Sequence, residues 1–242
     1  MWNKESGGDV NTSADEAPQA IGPVRPQVRG RGGDKGRPTD LRMTLLQVGW
    51  LSILLGITLE LLLVAARLGG ISDIQPIIAE FAQKISWSFV VCMGLAVGMS
   101  VSQLRPPVMG LAGLVAAPLA FYIAKGVHAG VSELLGTQAP GWGQFDLFLS
   151  PALRGIEYLV LGAVLGWVMR QTWGGLMPHI GAGLAVGALF GGLLLLMTRQ
   201  SGQPMFSMFS WVVNELLFPT GCALVLFASN TLAQRLPQGA TS

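Results

Sequence analysis

Six polar side chains could do chemistry because they lie within or at the ends of long apolar segments. They are Glu60, Lys84, His128, Glu157, Asn214 and Glu215. A charged side chain inside a bilayer costs about 2.5–3.5 kcal/mol on insertion scales, so its position is informative about function. Carboxylates that share a site of low dielectric can bind and release protons or small cations. These six residues are therefore the candidates for an ion or proton site.

A purely structural role is the first alternative. Arg154 and Glu157 are three residues apart, a spacing that allows a salt bridge on one helix face. Lys84 and Lys125 have stems long enough to reach lipid headgroups from within a span. The functional alternative is a proton or cation site lined by the three glutamates. A transport site predicts that they face one interior cavity, whereas a scaffold predicts that they pair off individually and leave no cavity.

An enzyme is the third alternative, and it has little support in the sequence. The chain contains no His-Glu-x-x-His, no Gly-x-Ser-x-Gly and no Cys/His cluster with metal-ligand spacing. Its two histidines, His128 and His179, are predicted on opposite faces of the membrane. Ser88 and Ser132 are the candidate nucleophiles near His128, and neither lies in a recognisable motif. We expect no catalytic residue and no cofactor, and we leave a metal open.

The distribution of charged residues along the chain indicates which segments form the membrane-spanning elements that position these side chains. Only 12% of the 242 residues are charged and 51% are apolar, whereas soluble domains carry about 25% charged residues. Residues 1–42 hold 13 of the 28 charged residues. The other 200 residues carry too few charges to form an ordinary water-facing surface. Two cysteines exclude a disulfide scaffold, and a net charge of +2 gives no indication of nucleic-acid binding.

The sequence therefore predicts an all-α integral membrane protein, a compact bundle of six transmembrane helices with a disordered N-terminal tail. A spanning helix needs about 20 mostly apolar residues. Six segments qualify: 44–66, 85–104, 107–128, 151–170, 177–198 and 208–233. The tail covers 1–42, and the membrane domain covers 43–236. Pro219 predicts a kink in the sixth span.

Two further segments are predicted to lie at the membrane surface. Residues 71–83 carry isoleucines and a phenylalanine at helical spacing, which indicates a short interfacial helix before the second span. Residues 137–150 place Trp142, Phe145 and Phe148 among Gly, Pro and Gln, as an aromatic loop at headgroup depth would.

Lysine and arginine counts predict the orientation. With both termini in the cytoplasm, the inner segments carry ten of the 15 Lys and Arg residues. The positive-inside rule then favours the cytoplasmic (inner) membrane with cytoplasmic N- and C-termini.

Glycine and cysteine spacings predict how the helices pack. Gly183, Gly187 and Gly191 form a stripe on one face of the fifth span, which favours close packing within the bundle over a dimer interface. Cys92 and Cys222 each precede an arginine by 13 residues, so matched spacing could bring the two thiols together. We do not predict a disulfide between them.

The functional expectation is movement of a small cation or proton, or coupling to one, through the three glutamates. The expected partners are the lipid bilayer and either further copies of the chain or subunits of a larger membrane complex, since six short-looped helices are few for a stand-alone carrier. The rival is a non-catalytic membrane scaffold or anchor subunit.

Overall fold

Six helices make up nearly all of the part of the chain that the computed structural model describes, residues 38–66, 75–100, 105–138, 145–198 and 205–235. They are α1 (Pro38–Ala66), α2 (Gln75–Ser100), α3 (Arg105–Leu134), α4 (Ser150–Val168), α5 (Leu176–Thr198) and α6 (Met205–Arg235). All six are long and apolar enough to cross a membrane. The prediction of an all-α multi-pass membrane protein is confirmed. Of the tail predicted over 1–42, residues 1–37 lie outside the described residues.

The second helix differs from its predicted bounds. It begins at Gln75, ten residues before the predicted start at 85. Residues 75–83 of the expected interfacial helix are its first turns, and residues 71–74 lie outside the described ranges. The charges of Glu80 and Lys84 lower the hydropathy of this stretch. Both nevertheless lie within a continuous helix, and Lys84 hydrogen-bonds to Asn214 of α6.

Two other bounds differ by six residues: α1 begins at Pro38, so that residues 38–42 of the predicted tail are helical, and α3 continues to Leu134. The remaining bounds agree with the predictions to within four residues. Pro219 lies inside α6, which continues on both sides of it. In the predicted aromatic loop, residues 145–149 form a π-helical turn before α4. Phe148 is 77% exposed, as expected for a side chain at headgroup depth. Trp142 lies outside the described residues.

The helices pack in an order that does not simply follow the chain. α3 lies between α2 and α4, α5 packs mainly on α6, and α1 contacts both α2 and α6. The shared core is apolar, and Leu95, Leu161 and Leu226 are fully buried in it. The helices α2 and α6 run parallel, because Lys84 meets Asn214 and Cys92 meets Cys222.

Glycines set the closest helix contacts. A Cβ added at Gly98 of α2 would lie 2.8 Å from Met109 Cα of α3. One added at Gly187 of α5 would lie 2.7 Å from the Glu215 carbonyl oxygen of α6. The predicted stripe on α5 therefore packs inside the bundle. Backbones that approach this closely gain van der Waals contact where lipid provides no hydrophobic drive.

The outer surface of the bundle is apolar. Leu111, Val115 and Leu119 of α3 are each more than half exposed, as are Trp50 of α1 and Leu189 of α5. A soluble protein rarely presents apolar patches of this extent to water. A bilayer solvates them.

Candidate functional site

Four helices deliver ionisable or amide side chains to the half of the bundle that contains the C-terminal half of α1, here called the distal half. The side chains are Glu60 from α1, Lys84 from α2, Arg154 and Glu157 from α4, and Asn214 and Glu215 from α6. The six are called the ion cluster below. All three glutamates are buried, each with at most 1% of its surface exposed.

Arg154 is the centre of the ion cluster. Its guanidinium donates two parallel N–H bonds to the two carboxylate oxygens of Glu215. It also donates to Glu157 Oε2 at 2.8 Å, one helical turn along α4. Two carboxylates from different helices thus share one cation. The predicted Arg154–Glu157 salt bridge is confirmed, but it is only part of a larger network.

An aromatic ring covers the same guanidinium. The Arg154 Cζ atom lies 5.8 Å from the centroid of the Trp87 ring on α2. That ring makes edge contacts with Tyr158 at 6.0 Å and with Phe218 at 6.5 Å between centroids. A cation over the face of a tryptophan is attracted by the ring quadrupole, and more strongly where water is excluded. The aromatic frame therefore holds Arg154 between its two carboxylates.

Lys84 joins α2 to α6. Its Nζ donates to Asn214 Oδ1 at 2.6 Å and lies 5.4 Å from the centroid of the Phe218 ring. Its charge interacts with those of Glu60, Glu80 and Glu215, and it is repelled by Arg154. The suggestion that Lys84 extends to lipid headgroups is therefore wrong. Its ammonium finds polar partners inside the bundle, where it needs no headgroup.

The ion cluster contains more carboxylates than cationic side chains. Glu60, Glu157 and Glu215 contribute three carboxylates, against the two cations Lys84 and Arg154. A net negative charge in a bilayer is costly unless a proton or a cation joins it.

One carboxylate oxygen of the ion cluster lacks a hydrogen-bond donor among the described residues. Glu157 Oε1 is buried and accepts no hydrogen bond from any residue in the described ranges, while Oε2 of the same carboxylate is bound to Arg154. A buried carboxylate oxygen without a donor is unfavourable when ionised, and it is stabilised once it carries a proton or contacts a cation.

The last candidate, His128, does not join the cluster. It is half-buried on α3, and no hydrogen bond or ion pair among the described residues connects it to the other five candidates. Ser88, its expected neighbour, donates instead to the Ser52 carbonyl at 2.7 Å, which ties α2 to α1.

Two features lie apart from the ion cluster. His179 is 1% exposed near the start of α5, with Nδ1 2.8 Å from the Gly175 carbonyl oxygen. Its Nε2 has no hydrogen-bond partner among the described residues.

The thiols of Cys92 and Cys222 meet at 3.3 Å between sulfur atoms, as their matched spacing suggested. Within the described ranges, no group of three or more His, Cys, Asp or Glu side chains is placed to hold a metal ion.

Three residues of the site could not be assigned a role from the sequence: Arg154, Trp87 and Phe218. Arg154 was recognised only as a partner of Glu157, and Trp87 and Phe218 only as apolar residues of spans. Their roles depend on how α2, α4 and α6 pack, and no spacing along one helix reports that. The one available signal for Arg154 was its position, since it is an arginine four residues inside an apolar segment.

Comparison with known proteins gives no relative from which to transfer a function. No protein-family model, no curated protein and no solved structure matches the chain.

Proposed function

We propose that this membrane protein moves a proton or a small cation, or couples to one, through the ion cluster. The observation that carries the proposal is Glu157 Oε1, a buried carboxylate oxygen without a donor among the described residues. It belongs to a cluster with three carboxylates and two cations. Taking up a proton or cation at this oxygen neutralises the excess charge, and releasing it restores the charged cluster.

The convergence of the glutamates favours this proposal over a scaffold with separate ion pairs. Glu157 and Glu215 share Arg154, and Lys84 interacts with both Glu60 and Glu215. Removal of a charge from one member changes the field at the others, because interacting groups titrate as a set. A site of this kind can couple occupancy to small movements of α1, α2, α4 and α6.

A static scaffold is the second candidate, and a specific observation favours it. Arg154 already satisfies both oxygens of Glu215 and one oxygen of Glu157. A network of this kind could serve only to join α4 to α6, with the protein anchoring another membrane subunit. The two candidates differ in whether Glu157 is needed for flux.

The test uses the full chain reconstituted into liposomes with an entrapped pH-sensitive dye. An imposed potential should drive proton flux, or flux of Na⁺ or K⁺ when these are varied, above that of protein-free liposomes. Glu157→Gln keeps a hydrogen-bond acceptor for Arg154 and removes the exchangeable charge, so we expect flux to be lost while the unfolding midpoint is preserved. Glu133→Gln is the matched control, because Glu133 is exposed at the end of α3. Absence of flux in the wild type, or full flux in Glu157→Gln, would replace this proposal with the scaffold.

We also propose the cytoplasmic (inner) membrane with both termini in the cytoplasm. Of the five Lys and Arg residues assigned to the outer side, Lys84 and Arg154 belong to the ion cluster rather than to loops. Without these two, the outer segments keep three, against ten on the inner side. A reporter fused after Ser242 should be cytoplasmic, and one inserted at Gln138 should be external. The reverse result would invert the orientation.

A homo-oligomer, or a complex with other membrane subunits, completes the proposal. On α5, Gly181 and Gly192 have no atom within 4 Å of an added Cβ, so these small residues are open to a further helix. Native mass spectrometry of the detergent-extracted protein measures the stoichiometry.

A further inference from the structure

Two free thiols meet inside the bundle, apart from the ion cluster. Cys92 of α2 and Cys222 of α6 are both fully buried, and their sulfur atoms are 3.3 Å apart. They are 130 positions apart in the chain, so only the packing of the two helices brings them together.

A second contact fixes the register of the same two helices. Lys84 and Asn214 are also 130 positions apart, and each lies eight residues before the cysteine of its helix. Eight residues correspond to about 12 Å along an α-helix. The thiols therefore face each other because α2 and α6 run parallel and in register over this distance, and not because of one side-chain rotamer.

The surroundings of the thiols are apolar. Val91 and Leu95 of α2 and Ala223 and Leu226 of α6 belong to the same core cluster and are fully buried. Two thiolates with a metal ion would bring charge into this core and would need additional ligands or a linear geometry. A disulfide is neutral, occupies less volume than two thiols and needs no ligand.

We propose that Cys92 and Cys222 are an oxidisable dithiol that closes to a disulfide joining α2 to α6. An S–S bond is about 2.05 Å long, so the sulfur atoms must approach by about 1.3 Å. The helices already stand close enough for side-chain rotation and a small shift to provide this. The thiols lie outside the ion cluster, so the reaction does not depend on ion movement.

The oxidant class is a small uncharged hydroperoxide, of which hydrogen peroxide is the smallest. The sulfur of one cysteine attacks a peroxide oxygen, the O–O bond breaks, and the thiol proton leaves with the hydroxide as water. The second thiol then attacks the resulting sulfenic sulfur. The S–S bond forms, the S–O bond breaks, and a second water leaves. Two thiols and one peroxide thus give one disulfide and two waters.

Burial and contact act on different steps. Burial of the thiols slows the first step, since a buried cysteine reacts poorly. Contact between the sulfurs accelerates the second, because the resolving thiol is already at 3.3 Å. The disulfide should therefore form slowly and without accumulation of a singly oxidised species.

The test treats the full-length protein in lipid nanodiscs with hydrogen peroxide and follows its intact mass. We expect the mass to fall by two hydrogen atoms, a cross-linked peptide that contains both cysteines, and reversal by a dithiol reductant. Cys92→Ser and Cys222→Ser should each abolish the change. The positional control is the double variant Val91→Cys/Cys92→Ser, which moves the thiol about 100° around α2. Its cross-linking should be at least about tenfold slower, because the sulfurs no longer face each other.

Three results would overturn the proposal. The folded protein could keep both thiols under conditions that oxidise the detergent-denatured protein. Its mass could rise by the oxygen atoms of a sulfinic acid instead of falling by two hydrogen atoms. The positional control could cross-link as fast as the wild type, which would show that collision in an opened bundle determines the reaction.

Discussion

Arg154 and Glu215 meet through two parallel N–H···O bonds that join α4 to α6 in the distal half of the bundle. Bidentate pairing of a guanidinium with a carboxylate fixes both distance and orientation, which a single ion pair does not. The pair joins α4 to α6 next to Asn214, whose side-chain oxygen accepts a hydrogen bond from Lys84. It links the stability of the bundle to the geometry of the ion cluster.

The two glutamates that bind Arg154 should differ in their effect on stability. Glu215→Gln removes one of two charge-assisted bonds and leaves an amide group facing the guanidinium, so we expect a loss of about 1.5–3 kcal/mol. Glu157→Gln should cost less, because Arg154 keeps its bidentate partner. Unfolding of each variant by SDS titration in mixed micelles measures the difference. Equal losses would mean that the two carboxylates are interchangeable.

The sequence predicts a partner for Glu157 and none for Glu215, for a physical reason. The Arg154–Glu157 pair follows from the spacing of residues along one helix. The Arg154–Glu215 pair joins residues 61 positions apart in the chain, and it forms only because α4 and α6 pack together. The six spans could be predicted because apolar length and the scarcity of charge are local properties. The early start of α2 could not be predicted, since Glu80 and Lys84 argue against a span until their partners are known.

The glycine contacts between α5 and α6 give a second prediction. Gly187→Leu should lower thermal stability, because even its Cβ would lie 2.7 Å from the Glu215 carbonyl oxygen and 3.1 Å from Leu216 Cα. Gly126→Leu on α3 is the matched control, since an added Cβ there meets no atom within 4 Å. Thermal unfolding followed by tryptophan fluorescence should separate the two variants. The same midpoint for both would remove these close contacts as a source of stability.

The tautomer of His179 is a third prediction. Its Nδ1 lies 2.8 Å from the Gly175 carbonyl oxygen, which can only accept, so Nδ1 must carry the proton. The neutral ring is then protonated at Nδ1 and bare at Nε2. ¹⁵N-histidine NMR in nanodiscs can show this directly, because the chain has only two histidines and His128→Gln leaves one signal set. A proton found on Nε2 would contradict the hydrogen bond to Gly175.

The hydrogen bond between Lys84 and Asn214 supports the last prediction, which tests whether the ion cluster is assembled as described. Lys84→Met and Asn214→Leu remove the donor and the acceptor of the 2.6 Å contact with little change in volume. Polar contacts between helices in membranes contribute about 0.6 kcal/mol on average and up to about 1.7 kcal/mol in double-mutant cycles. We expect a coupling free energy near the upper value, because the donor is charged and the ring of Phe218 shields the pair. The matched control is a cycle between Lys84→Met and His128→Gln. These two residues form no hydrogen bond or ion pair with each other in the described part of the chain, so their losses should be additive. SDS-induced unfolding in mixed micelles gives all the free energies. Additivity in the Lys84–Asn214 cycle, or equal coupling in both cycles, would mean that Lys84 does not join α2 to α6.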